Sequence, residues 1–132
     1  MGDVALRAAI DTNRITDLLR GDAELSDWLG RCEQLFVPLF VLAEIKAGFL
    51  GGSRPHQNEA LLRRFLDKPN VTLLLPDHDT AEGYAHLWVQ LRHGGQPIPA
   101  HDIWIAALAL QHDLVLVTRD RHFAAIPQLV LA

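Results

Sequence analysis

Four acidic side chains stand where the chain changes character, and together they could hold a divalent cation. Asp11 ends the apolar stretch VALRAAI (4–10) in the run AIDTN, followed by Thr12 and Asn13. Glu44 lies in VLAEIKAGFL among Val41, Ala43, Ile45, Ala47 and Gly48, with Lys46 as its charged neighbour. Those apolar surroundings predict a carboxylate held rigidly toward a site. Asp102 opens HDIWIAALAL, and the residues three, four and seven places on are Ile105, Ala106 and Ala109, so it sits over an apolar stripe. Asp120 closes LVLVTRD. Any one of them has an ordinary use. Asp11 or Asp102 could cap a helix, Asp120 could be a turn residue, and Glu44 could be solvated beside Lys46. Four carboxylates at one edge would repel each other and resist desolvation unless a cation lay among them. Oxygen donors with no cysteine partner suit Mg2+ or Mn2+. Such an ion can act as a Lewis acid and make a bound water a better nucleophile.

The elements that must position these acids follow from the apolar pattern. Short strands are expected at 4–10 (Val4, Leu6, Ala8, Ala9 and Ile10), 35–38, 71–75 and 114–118, with a possible fifth over QLVL (128–131). Helical spacing predicts helices over 14–20, 23–33, 41–50, 55–67, 79–93 and 101–110, a loop at GGQPIP (94–99), and a turn or short helix over 120–126. Short apolar strands alternating with helices indicate an α/β fold, a central parallel sheet of four to five strands with helices on both faces, in one domain spanning 1–132. Ligands of such sheets lie beyond the carboxyl ends of the strands, the edge where the acids fall.

Composition sets the limits. A chain of 132 residues has the size of one domain, and 49% hydrophobic with 21% charged residues excludes disorder. The single cysteine, Cys32, excludes an internal disulfide. The longest uncharged run near the middle, LFVPLFVLA (35–43), is too short for a membrane span, and Arg7 interrupts the only early apolar stretch. A cytoplasmic protein with no membrane partner is expected. The net charge of −4 argues against a general nucleic-acid coat. It does not argue against phosphate approaching acids that a cation has neutralised.

The segments AIDTN, VLAEIKAGF, PIPAHDIWIAALAL and LVTRDRHF, in this order and spacing, resemble the PIN-domain ribonucleases, and more closely the VapC-type toxins of bacterial and archaeal toxin–antitoxin pairs. The resemblance runs from Asp11 to about Pro127. It implies a PIN-like three-layer sandwich and a Mg2+- or Mn2+-dependent endoribonuclease toxin that cleaves cellular RNA. Asp11, Glu44, Asp102 and Asp120 take the family's acidic catalytic and metal-binding places, and Thr12, Asn13 and Thr118 match its supporting polar positions. It further implies a homodimer and neutralisation by a cognate VapB-type antitoxin that covers the site. The chain departs from the family at His101, where Asn is common just before the acid, so a titratable imidazole replaces an amide.

The remaining candidates are less specific. Arg14 and Arg119 lie close to the acids and could guide RNA phosphates, or make weak surface pairs. Leu18, Leu25 and Trp28 give the first two helices surplus apolar surface, which could form a groove for an amphipathic antitoxin segment with Trp28 as anchor. Trp28 could equally be core. His122 reads as an exposed turn histidine, with a phosphate contact as the other use. Zinc is disfavoured, since no histidines have HxxxH spacing and Cys32 has no CxxC partner. GFLGG (48–52) lacks the lysine of a phosphate loop, and Ser26 and Ser53 lack a nucleophile-elbow context. Two rivals remain. A PIN-like domain that binds RNA without cutting would not need the full set of acids. A phosphoacceptor receiver domain would need paired acids at the first strand tip and a lysine after the fifth strand. Asp77 does follow the third strand, but the only lysines are Lys46 and Lys68.

Overall fold

The computed structural model describes residues 6–132. Val4, read above as part of the first strand, lies outside the described residues. Four strands, β1 (Arg7–Ile10), β2 (Gln34–Pro38), β3 (Val71–Leu74) and β4 (Val115–Val117), form one sheet in the order β3-β2-β1-β4, with every neighbouring pair parallel. Ala8, Ala9 and Ile10 are buried in succession, as are Leu35 to Pro38. Successive side chains of a strand point to opposite faces, so unbroken burial requires cover on both sides. The cover comes from α1 (Thr12–Leu19), α2 (Ala23–Gly30), α3 (Leu39–Leu50), α4 (Pro55–Leu66), α5 (His78–His93) and α6 (Ala100–Gln111). The apolar helix α6 is the most deeply placed, with Ile103 and every residue from Ile105 to Ala109 buried. Among the described residues no helix is long and apolar enough to cross a membrane.

The sheet order decides where a site can form. From β1 the chain steps outward to β2 and β3, then returns to lay β4 on the other side of β1. That reversal opens a crevice beyond the carboxyl ends of β1 and β4. Ile10 pairs with Val117, so Asp11 and Thr118 emerge side by side at its mouth.

Several boundaries differ from the sequence expectation, each for a local reason. The helix after β1 begins at Thr12, because the Asp11 side chain caps it. The helix after β2 begins at Leu39, directly from Pro38, whose extended backbone serves as N-cap. Helix α6 starts at Ala100 with Pro99 as N-cap, so Asp102 lies inside the first turn and caps nothing. The segment 128–131 does not form a fifth strand. It makes one parallel bridge, Leu131 to Leu116, supported by Leu116 N–H donating to Val130 O (2.8 Å) and Ala132 N–H to Leu116 O (3.0 Å).

Candidate active site

Asp11 is fixed by groups from three elements. Its backbone N–H donates to Val117 O (2.9 Å), continuing the β1–β4 ladder by one residue. Its Oδ1 accepts the Thr12 N–H (2.8 Å), and its Oδ2 accepts the Thr118 hydroxyl (2.7 Å) and, at 3.5 Å, the Asn13 amide. Asp11 is therefore both helix cap and site residue. The Thr118 hydroxyl also accepts the Asp120 N–H (3.0 Å), and Asn13 Oδ1 accepts the Arg119 N–H (3.2 Å). Thr118 and Asn13 thus tie the turn after β4 to the start of α1. Thr12 contributes its backbone N–H, while its hydroxyl oxygen is buried without a partner among the described residues.

Asp102, Asp120 and His122 form the tightest cluster, each offering one donor atom within 4.8 Å of the others. His122 Nδ1 is 2.9 Å from Asp102 Oδ2 and 3.2 Å from Asp120 Oδ1. The backbone of His122 also donates to Asp120 Oδ1 (2.9 Å), capping a short 3-10 turn over Arg121–Ala125. Phe123 and Ile126, both fully buried, pin that turn to the core and hold the imidazole over the first turn of α6. His122 is thus an exposed turn histidine, as the sequence suggests, with contacts to the acids that the sequence does not show. Its ring is half exposed, yet it bridges two of the acids.

Charge runs through the crevice as a line of repulsions. Burial pushes the Asp11 carboxyl above its usual range, the charges of Asp102 and Glu44 push the same way, and the hydrogen bonds from Thr118 and Thr12 oppose them. Burial likewise raises Asp102, with the Asp120 charge adding to it and the His122 hydrogen bond opposing it. The hydrogen bond to Asp102, with the charge of Asp120, in turn raises His122. Two buried carboxyls that resist ionisation, beside a third acid and an imidazole, are what a cation site looks like when its own charges are left to balance one another. The donors are carboxylate oxygens with one ring nitrogen, and this set fits a divalent cation.

Glu44 is placed differently from the expectation. Val41 and Ile45 take the buried side of α3 and leave Glu44 on its flank, with 47% of its side chain exposed. Among the described residues, its carboxylate lies 3.4 Å from His101 Nε2, a contact without hydrogen-bond alignment. Glu44 stands at the rim, close enough to raise Asp11 but not clamped.

The two arginines at the crevice share one acid. Arg119 meets Asp17 through Nε (2.7 Å) and Nη2 (3.1 Å), and Arg14 Nη1 donates to the same carboxylate (2.8 Å). The Arg119 hydrogen bond first, then Arg14, holds the Asp17 carboxyl below its usual range. The three residues read as one groove separate. Leu25 and Trp28, three apart on α2, line a hollow of about 270 Å3 with Arg14 and Val117. Leu18 lies across the helix, in a different hollow beside Ser26 and Leu29. Leu25 is buried and Trp28 half-buried against the core.

Comparison with known proteins adds an independent line. The family model described as PIN domain matches residues 8–129. Ribonuclease VapC4 of Mycobacterium tuberculosis is 31% identical over 91 residues, which is 69% of this chain and 70% of that protein. A toxin–antitoxin complex from Klebsiella pneumoniae contains a chain similar to this one, with a TM-score of 0.73 at 27% identity, covering 93% of this chain and 95% of that one. VapBC2 from Rickettsia felis, bound to a DNA fragment from its promoter, shares the fold with a TM-score of 0.87 at 23% identity, covering 96% of this chain and 98% of that one.

Proposed function

The chain belongs to the PIN-domain family, and from that premise we propose that it is a Mg2+- or Mn2+-dependent endoribonuclease toxin of the cytoplasm. The observation that carries the reading is the convergence of Asp11, Asp102 and Asp120, two of them buried, in the crevice between β1 and β4. Asp102, Asp120 and Asp11 would hold the cation, with His122 as a further donor or as the imidazole that balances them when no cation is present. When bound, the ion supplies Lewis acidity to the phosphodiester and makes water a better nucleophile.

The chain's own groups do the remaining work. Thr118 and Asn13 orient the Asp11 carboxylate, and the turn pinned by Phe123 sets Asp120 against Asp102. Burial of Asp11 and Asp102 keeps bulk water from competing for their oxygens. Glu44, exposed at the rim, is free to accept a proton from water entering the crevice. Arg14 and Arg119, steadied by Asp17, present their remaining N–H donors to RNA phosphates. A cognate VapB-type antitoxin would neutralise the site, and the hollow beside Leu25 and Trp28 is a candidate seat for it. A homodimer is supported by the exposed Trp88 and Val89 of α5, near the stacked rings of Tyr84, Trp104 and Phe40.

The test is incubation of the purified protein with total cellular RNA, with Mg2+ or with EDTA, followed by mapping of the cut ends. New ends that require the metal and disappear in Asp102→Asn are expected. Identical ends from both proteins, or ends that persist in EDTA, would overturn the reading.

A further inference from the structure

Beside the acids a second cavity, of about 300 Å3, opens between α1, α3 and α4. It shares two residues with the site, since Thr12 donates its N–H to Asp11 and Glu44 raises the Asp11 carboxyl by its charge. Its other polar walls are Arg20, Asn58 and Thr16, whose hydroxyl donates to Thr12 O (3.1 Å). Unlike Arg14 and Arg119, which Asp17 holds, the Arg20 side chain is in no ion pair among the described residues, and the Asn58 side-chain amide makes no hydrogen bond there. Thr12, half-buried, forms part of the same wall. Leu19, Ile45 and the half-buried Phe49 complete the lining with apolar surface.

Gly48 is the most telling member of the wall. It sits inside α3 with no need for a positive φ, and a Cβ added there would meet nothing within 4 Å. Glycine inside a helix is less stable than alanine. Here no packing contact demands it, and its effect is to keep the cavity open.

We infer that this cavity is a subsite for the base of the nucleotide next to the scissile phosphate of single-stranded RNA. The inference rests on the nuclease reading for its position relative to the cut, and on the walls for its chemistry. Phosphate is disfavoured there, because the Glu44 carboxylate is part of the lining. A base edge offers donors and acceptors together, and a guanidinium, an amide and a carboxylate complement both. Single-stranded RNA is recognised by splaying bases onto aromatic and apolar side chains while their edges are hydrogen-bonded. The volume lies at the lower end for small-molecule sites, which run roughly from 300 to 1,000 Å3, and suits one ring system.

Two variants test it without touching the acids. Gly48→Leu fills the cavity from its own wall, and Asn58→Ala removes one edge-reading group. Both keep good helix formers on their helices, so a melting temperature at or above the parental value is expected. Binding of short fluorescein-labelled single-stranded RNA of random sequence, measured with Ca2+ in place of Mg2+, should weaken about tenfold in either variant. With Mg2+ the same variants should raise KM rather than lower kcat, and relax the base preference beside the cut. A parental protein that binds but does not cut would remove the nuclease reading and leave the subsite standing. Folded variants with parental RNA affinity and an unchanged base preference would overturn the subsite. So would variants that lose affinity only for an antitoxin peptide, which would assign the cavity to that partner.

Discussion

On the side of the crevice built by β1, β4 and α6, Asp11 and Asp102 are buried, and each is tied to neighbours by hydrogen bonds of 2.7–2.9 Å. On the side built by α3, Glu44 is nearly half exposed and, among the described residues, has only the His101 contact at 3.4 Å. The buried pair carries charge where charge is disfavoured, a cost that a bound cation would relieve, and hydrogen bonds keep its carboxylates in place. The exposed acid, with 47% of its side chain open to solvent, is not clamped in the same way. One functional group, the carboxylate, is therefore met in two environments in one crevice, and burial separates them.

Substitutions should rank accordingly. Asp11→Asn keeps shape and capping but removes a held charge. It should lower cleavage by about 10³-fold or more, the equivalent of several kcal/mol of transition-state stabilisation, and single-turnover rates on one RNA would measure it. His122→Ala leaves the carboxylates in place but removes the bridging ring. It should weaken cation affinity roughly 10–100-fold, seen as a shift of the Mg2+ dependence toward higher concentration with the maximal rate largely regained. Glu44→Gln should cost only about tenfold in kcat, less than the 10²–10⁴ of a firmly positioned acid–base group. If Glu44→Gln were as damaging as Asp11→Asn, the distinction between the two walls would be lost.

Much of this arrangement is legible in the sequence. The positions of Asp11 and Asp120 follow from strand tips and the rule that ligands bind beyond them, and Asp102 follows from the apolar stripe beneath it. What escaped reading depends on rotation and on distant contacts. The apolar neighbours of Glu44 show that α3 is buried on one side, but only the burial of Val41 and Ile45 puts Glu44 on the flank. His122 reaches Asp102 across 20 residues, through a turn whose docking depends on Phe123 filling the core. Two features of the segment were suggestive, namely its spacing of two from Asp120 and the aromatic residue after it. The proposed groove of Leu18, Leu25 and Trp28 splits because Leu25 and Trp28 line one hollow, while Leu18 of α1 lines another with Ser26 and Leu29. The expected fifth strand is a single bridge at Leu131, even though its apolar residues read as a strand.

Whether the buried acids trap a divalent cation is decided by thermal melting of the parental protein and Asp102→Asn. The folded Asp102 carboxyl holds its proton more tightly than the unfolded chain does. Its protonated form therefore favours folding fully below the ordinary carboxylate pKa of about 3.9, and that contribution is lost as pH rises through the raised folded value. In EDTA at neutral pH, Asp102→Asn should melt above the parental protein, and the gap should close as the pH is lowered to about 4. Saturating Mg2+ or Mn2+ should then raise the parental Tm and leave that of the variant nearly unchanged. Equal stabilisation of both proteins by the metal, or a variant that melts lower at neutral pH in EDTA, would contradict the account.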